Sequence, residues 1–294
     1  MPTEKLSRIV FHSSRRLLRV GGYRSHFVQT SLGKVHYYEA SGSGTLPPMV
    51  FVHGMGAHAA DLHPLFRRLR RDAQAIIAVD LPAHGWSDTP HPEVTPASLN
   101  QMFCEALDQI LRDRPPALLF GNSLGGLGVI RYCRHNPARV GQLVLSSPGG
   151  AALSEAQLQK LHGIFAHETQ HTPAAFLARL YNQPPALGWL IAREVQLRFR
   201  QPGLQAVIQT FDPDHLLRPE DLQQIHVPTL MIWGQQDRIL EDQVHFFREH
   251  LPAHAHILEP SHFTHCPYME MPEELALQIR NFARLHSRSA LRGA

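Results

Sequence analysis

Cysteine is scarce in this sequence, and the little there is excludes two common architectures. Cys104, Cys133 and Cys266 form an odd set without C-x-x-C spacing, which argues against a disulfide framework or a thiolate zinc site and makes a reducing compartment the default. Charge of one sign is scarce too: 28 Lys and Arg against 25 Asp and Glu leave +3, too small an excess to point to nucleic acid as a partner. No apolar run is long enough to span a bilayer, and no internal repeat or low-complexity segment is evident. What remains is a globular chain whose 294 residues, 43% hydrophobic and 18% charged, are enough to bury a sizeable core. Histidine is abundant, at 21. His162, His167 and His171 can share part of a helix surface, but no acidic or thiolate partner completes a metal site, so they are read as solvated.

The most informative stretch is Gly121-Asn122-Ser123-Leu124-Gly125. An apolar run, Ala117 to Phe120, leads into it and a helical pattern to His135 follows, so the context reads as strand, sharp turn, helix. A G-x-S-x-G pentapeptide matters when the turn forces the serine into a strained backbone conformation with its hydroxyl above the sheet. Side chains at 121 or 125 would collide across such a turn. The alternative, an ordinary turn serine, is weakened by the other motifs in register with it.

A serine hydroxyl needs a base to take its proton and a third group to hold that base. Thr229 to Trp233 reads as a buried strand ending in Gly234-Gln235-Gln236-Asp237, which makes Asp237 the candidate orienting acid. His254 to Leu258 reads as another short strand, and the loop Pro260 to Pro267 before a final helix near Pro272 holds two candidate bases, His262 and His265. The order Ser, Asp, His is that of the α/β-hydrolase arrangement. A trap for the developing oxyanion is expected where the apolar strand Met49 to Val52 ends in His53-Gly54-Met55-Gly56. Its two donors are assigned to the backbone N–H groups of Met55 and Leu124, with Gly54 opening the turn and His53 propping the loop. Asp80 and Asp88 are read as structural acceptors of backbone hydrogen bonds.

Taken together, these segments resemble the α/β-hydrolase superfamily of esterases, lipases and C–C hydrolases. The resemblance rests on His53 to Gly56, Asp80-Leu81-Pro82-Ala83-His84-Gly85-Trp86-Ser87-Asp88, Gly121 to Gly126, Trp233 to Asp237 and His265-Cys266-Pro267-Tyr268-Met269-Glu270-Met271-Pro272-Glu273-Glu274. It implies His265 rather than His262 as the base, since the family's base precedes a short loop, a Glu and an x-Pro-Glu-Glu helix start. Two positions depart from the family pattern: Ala83, where Gly is frequent, and Glu241, where a Pro often follows the acid. Some relatives carry the acid after the preceding strand, where this chain has Ser146-Ser147-Pro148 instead.

Alternating strands and helices imply a mostly parallel sheet covered on both faces. Phe27 to Tyr38 reads as an opening hairpin, with strands at Ala75 to Val79 and Leu143 to Leu145 and helices at Pro96 to Leu111 and Leu124 to His135. The rhythm stops at Pro148 and resumes at Val227. The expected division is therefore a core over 26–148 and 227–294 with a helical cap at 149–226, as the superfamily inserts. Of the cap's large apolar residues, Phe165, Phe176, Tyr181, Trp189, Phe199 and Phe211, most should pack against the core and a minority line an acyl pocket. Residues 1–25 form a separate basic amphipathic arm, with Lys5, Arg8, Arg15, Arg16, Arg19 and Arg24 against Glu4 and a stripe of Leu6, Ile9, Val10, Leu17 and Val20. It lacks the apolar run of a secretory signal. Packing on the core or on a second subunit is one expectation for it, reversible contact with anionic lipid the other.

The expected function is hydrolysis of a carboxylic ester with a hydrophobic acyl or alcohol part, by Ser123, His265 and Asp237 through an acyl-enzyme. This chemistry requires no cofactor and no metal. A cytoplasmic location, at most peripheral to a membrane, goes with it. One alternative is C–C bond hydrolysis of a vinylogous diketone, against which Cys266 stands where that group commonly carries Trp. A small-molecule receptor with the same fold and slow turnover is the other.

Overall fold

The computed structural model describes residues 15–165, 173–183, 188–240 and 243–290. Eight strands form one sheet: β1 (Arg24–Thr30), β2 (Gly33–Ser41), β3 (Met49–Val52), β4 (Ala75–Val79), β5 (Ala117–Ser123), β6 (Val140–Pro148), β7 (Thr229–Ile232) and β8 (His256–Leu258). Their spatial order is β1-β2-β4-β3-β5-β6-β7-β8. The β1–β2 and β2–β4 pairs are antiparallel and the other pairs parallel. This is the mostly parallel sheet expected from the alternating pattern.

Helices cover both faces because the inner strands are apolar on both sides. Residues 15–20 are helical (α1). They are followed by α2 (His63–Leu69), α3 (Pro96–Ile110) and α4 (Leu124–His135). Along β3, Val50 and Val52 join the core that contains Met102 and Phe103 of α3 and Leu127 and Val129 of α4. Met49 and Phe51 point the other way, into a second core with Leu65 and Phe66 of α2. The start of α3 is written locally: Pro96 occupies the first turn and Thr95 Oγ1 accepts from Ser98 N–H at 3.0 Å.

Between β6 and β7 come α5 (Glu155–Phe165), α6 (Pro173–Leu180), α7 (Gly188–Phe199), α8 (Pro202–Thr210) and α9 (Pro219–Gln223). The excursion closes at its base, where Leu217 N–H donates to Gly150 O at 2.7 Å. Beyond that point α9 returns to the core side, held by Arg134 of α4 through Asp221. After β7 follow α10 (Val244–His250), α11 (Pro267–Glu270) and α12 (Pro272–Ala290). The one-turn α11 lies where the sequence reads as the end of a loop. Its start follows from Pro267, whose fixed φ suits a first helical position.

The arm needs a corrected boundary, since β1 already begins at Arg24. Residues 1–14, with Lys5, Leu6, Arg8, Ile9 and Val10, lie outside the described residues, as do His167, His171 and Glu241. In α1, Leu18 is buried in the second core while Leu17 and Val20 are 67% and 81% exposed. Arg15 donates to Ser25 Oγ at 3.1 Å and stacks over Trp86. This part of the arm therefore packs on the core by one face only.

Candidate active site

The strand-to-helix turn places Ser123 at the end of β5 with φ +52°. A left-handed conformation is costly for a residue with a side chain, so the surroundings must impose it. They do so by close backbone approach. A Cβ on Gly121 would lie 2.5 Å from Gly125 O, and one on Gly125 would lie 2.5 Å from the carbonyls of Val52 and His53. Both flanking glycines are therefore steric requirements, as the sequence implies.

Asp237 and His265 come from the loops after β7 and β8. Gln236 N–H donates to Phe263 O at 3.0 Å, and a Cβ on Gly234 would lie 2.3 Å from the same carbonyl, so the two loops touch through backbone. Asp237 Oδ2 lies 2.7 Å from His265 Nδ1, and Oδ1 accepts from the N–H groups of Ile239 and Leu240 at 2.8 and 3.0 Å. Burial by itself would raise the Asp237 carboxyl; His265 and the backbone donors outweigh it and hold the pKa below the usual value. An ionised carboxylate only accepts, so the Nδ1 nitrogen carries a proton, and in the neutral ring Nε2 is the acceptor. His262 is elsewhere: it is half exposed and bonded to Glu274 at 2.8 Å.

The loop after β3 lies against the serine because β3 pairs with β5. A Cβ on Gly54 would sit 2.9 Å from Ser123 Cβ. Leu124, as the first residue of α4, has an N–H without an intrahelical acceptor, and Met55 follows Gly54 in the facing loop. His53 braces that loop from behind, its Nε2 accepting from Leu81 N–H at 3.0 Å and its Nδ1 lying 2.8 Å from Gly54 O. This pairing puts the single ring proton on Nδ1. Burial drives the His53 pKa down to about 4, which keeps the ring neutral. Asp80 is a structural hub: it accepts from Ala59 and Trp86 N–H at 2.7 and 3.0 Å and pairs with His36 at 2.7 Å. Asp88 likewise accepts from Lys34 N–H at 2.8 Å.

Ser123 and His265 line one cavity of about 140 Å³, together with Phe165, Phe176, Tyr181 and Ile191. Phe199 packs beneath it, 5.8 Å from Phe165 and 5.6 Å from Phe176, centroid to centroid. Phe211 lines a separate pocket beside Phe103 and Leu127. The Trp189 side chain lies outside the described residues.

Comparison with known proteins bears directly on this geometry. The model of the alpha/beta hydrolase family matches residues 49–278, from β3 into α12. The chain belongs to the alpha/beta hydrolase family. Among the relatives of this alpha/beta hydrolase is the pimeloyl-[acyl-carrier protein] methyl ester esterase of Nitrosomonas europaea, 30% identical over 262 residues, which cover 81% of this chain and 95% of the relative. The 2-hydroxy-6-oxononadienedioate/2-hydroxy-6-oxononatrienedioate hydrolase of Paraburkholderia phymatum is 28% identical over 233 residues, covering 70% and 76%. Among solved structures, a membrane phospholipase A superimposes with a TM-score of 0.80 at 23% identity, covering 96% of this chain and 93% of that one. At that identity the likeness concerns the fold.

Two features of this alpha/beta hydrolase's cavity escape the sequence reading. Asn122 Nδ2 donates to Ser146 O at 3.0 Å and to His265 O at 3.2 Å. Arg198 of α7 reaches across to the loop after β3, where it bonds Asp61 at 2.6 Å, His58 at 2.9 Å and Gly56 O at 3.3 Å, and also Glu194 at 3.0 Å. Burial opposes the Arg198 charge, but Asp61 and Glu194 outweigh it and raise the pKa, so the guanidinium stays ionised. The only local signal was the Glu194–Arg198 spacing of four on one helix.

Proposed function

We propose that this alpha/beta hydrolase cleaves carboxylic esters with a hydrophobic acyl or alcohol part through an acyl-enzyme. The observation that carries the reading is a strained Ser123 sharing one largely apolar cavity with a His265 whose Nδ1 is held by Asp237. Ser123 Oγ attacks the ester carbonyl while His265 Nε2 takes its proton, and Asp237 stabilises the imidazolium that results. The N–H groups of Met55 and Leu124 receive the charge that develops on the carbonyl oxygen. His265 then returns the proton to the departing alcohol, and water repeats the sequence on the acyl-enzyme. The helices α5 to α8 serve as a cap whose Phe165, Phe176 and Tyr181 hold the apolar part of the substrate.

The relatives support ester and C–C cleavage alike, and the cavity favours the ester. A dienedioate carries two carboxylates, and this cavity already contains Asp61 and Glu194 around one guanidinium. The deciding experiment combines p-nitrophenyl esters of increasing acyl length with a vinylogous diketone, using Ser123→Ala as control. A fluorophosphonate probe should label the wild type once, at Ser123, and leave Ser123→Ala unlabelled. Labelling of another serine, or turnover of the diketone alone, would overturn the reading; labelling without turnover of any substrate would favour a receptor.

We also propose that α1 touches anionic membrane surfaces. Its outer face presents the exposed Leu17 and Val20 beside the exposed Arg16 and Arg19, a basic and apolar combination suited to a lipid interface.

A further inference from the structure

The cavity is apolar along Phe165, Phe176, Ile191 and Val195 and charged where α7 faces the loop after β3. There Arg198 lies between Asp61 and Glu194, at 2.6 and 3.0 Å. Two carboxylates share one guanidinium, which leaves this end with a single formal negative charge. The adjacent imidazole does not offset it, because burial and then the charge of Arg198 push the His58 pKa down. Glu194 is 5% exposed, yet its Oε2 takes no hydrogen bond among the described residues while Oε1 accepts from Arg198. A buried carboxylate oxygen in that state is destabilising until a donor reaches it.

We propose that Glu194 and Asp61 form a distal subsite for a hydrogen-bond-donating end of the substrate, a hydroxyl, amide N–H or ammonium, and that they reject a terminal carboxylate. This proposal rests on the ester-hydrolase reading of the same cavity. The apolar part of such a substrate lies along the phenylalanines, with its donor at Glu194. Arg198 does not rescue a carboxylate there. Its Nη1 already serves Asp61 and Gly56 O, and its Nη2 serves Glu194 and His58. Only the buried Nε–H is uncommitted, one donor against two like charges.

Four p-nitrophenyl esters of one acyl length, ending in methyl, hydroxyl, ammonium or carboxylate, test the subsite. The hydroxyl and ammonium esters should match or exceed the methyl ester in kcat/KM, with the carboxylate ester lower by about tenfold or more. Glu194→Gln keeps the shape and removes the charge, so it should shrink both the carboxylate penalty and any ammonium preference. Asp61→Asn provides the same reading should the first variant fail to fold. A carboxylate ester cleaved by the wild type as well as the methyl ester, or selectivity ratios unchanged in the folded variants, overturns the proposal. Calorimetry on Ser123→Ala with a 1-aminoalkane and an alkanoate of equal length separates this from the ester reading. Tighter binding of the amine, lost in Ser123→Ala/Glu194→Gln, is expected; equal binding overturns the subsite. If that preference holds while no ester turns over, only the ester reading falls.

Discussion

The side chain of Asn122 donates a hydrogen bond to the backbone carbonyl of His265 at 3.2 Å. The turn that presents the proposed nucleophile is thereby tied to the loop that carries the proposed base, although the two come from β5 and from beyond β8. The same amide anchors to Ser146 O at 3.0 Å, so it links the C-terminal ends of β5 and β6 to the loop after β8. A buried amide placed this way fixes relative position, and position is a large part of what such a site contributes to rate.

Asn122→Asp is isosteric but removes both donors and sets a carboxylate against two carbonyls. We expect a loss of stability of about 1–3 kcal/mol or more, since the Ser146 and His265 carbonyls lose their partner in a buried setting. With a soluble ester, kcat should fall by about tenfold or more with little change in KM, because alignment rather than binding is disturbed. Thermal denaturation and steady-state kinetics on the same preparation check both; a variant with unaltered kcat would show that the tether does not position His265.

The two nearby histidines should separate sharply. His265→Ala removes the group held by Asp237 and should lower kcat by about a thousandfold or more. His262→Ala removes a half-exposed ring bonded to Glu274, so its effect should stay within a few fold. Equal losses in two folded variants would withdraw the assignment of the base to His265.

Legibility in the sequence followed the range of the interactions. β4 and α4 occur at the residues read from the apolar pattern, because periodicity is a local property. The glycines at 121 and 125 were legible for the same reason, since the clash they avoid lies within one turn or against the adjacent strand. Arg198 and Asp61 are 137 residues apart, and Asn122 and His265 are 143 apart. No spacing rule connects such pairs, and only the folded sheet edge brings them together. In α1, the 3.6-residue period identified an amphipathic segment but not which side would meet the core, and Leu18 rather than Leu17 or Val20 was buried.

Acid should destabilise the fold early, well above the range of the carboxylates. Burial lowers the His53 and His84 pKa values from 6.5 to about 4 and about 3, so these rings are neutral in the folded chain but protonate in the unfolded one. A depressed folded pKa contributes stability that is fully present above the unfolded value and is lost as pH falls through the folded one. Stability should therefore hold above about pH 6.5 and decline toward pH 4, before Asp80 and Asp237, both lowered from 3.8, extend the loss at still lower pH. Urea midpoints between pH 8 and pH 4.5 read this directly, and His84→Asn should flatten the slope between pH 6.5 and pH 4.5. A midpoint constant down to pH 5 would contradict neutral, buried imidazoles.

The exposed face of α1 yields the last expectation. Leu18 and Arg15 hold this helix to the core, so removing the outward groups should leave the enzyme folded. Full-length protein should sediment with vesicles containing phosphatidylserine at low salt and be released as ionic strength rises, because Arg16 and Arg19 act through a screened surface potential. Leu17→Ser/Val20→Ser should reduce sedimentation by removing the apolar contribution, and Arg16→Gln/Arg19→Gln by removing the electrostatic one, while hydrolysis of a soluble ester stays nearly unchanged in both. Intact protein that ignores anionic vesicles at low salt would show that α1 serves only to cover the core through Leu18, and the membrane proposal would be dropped.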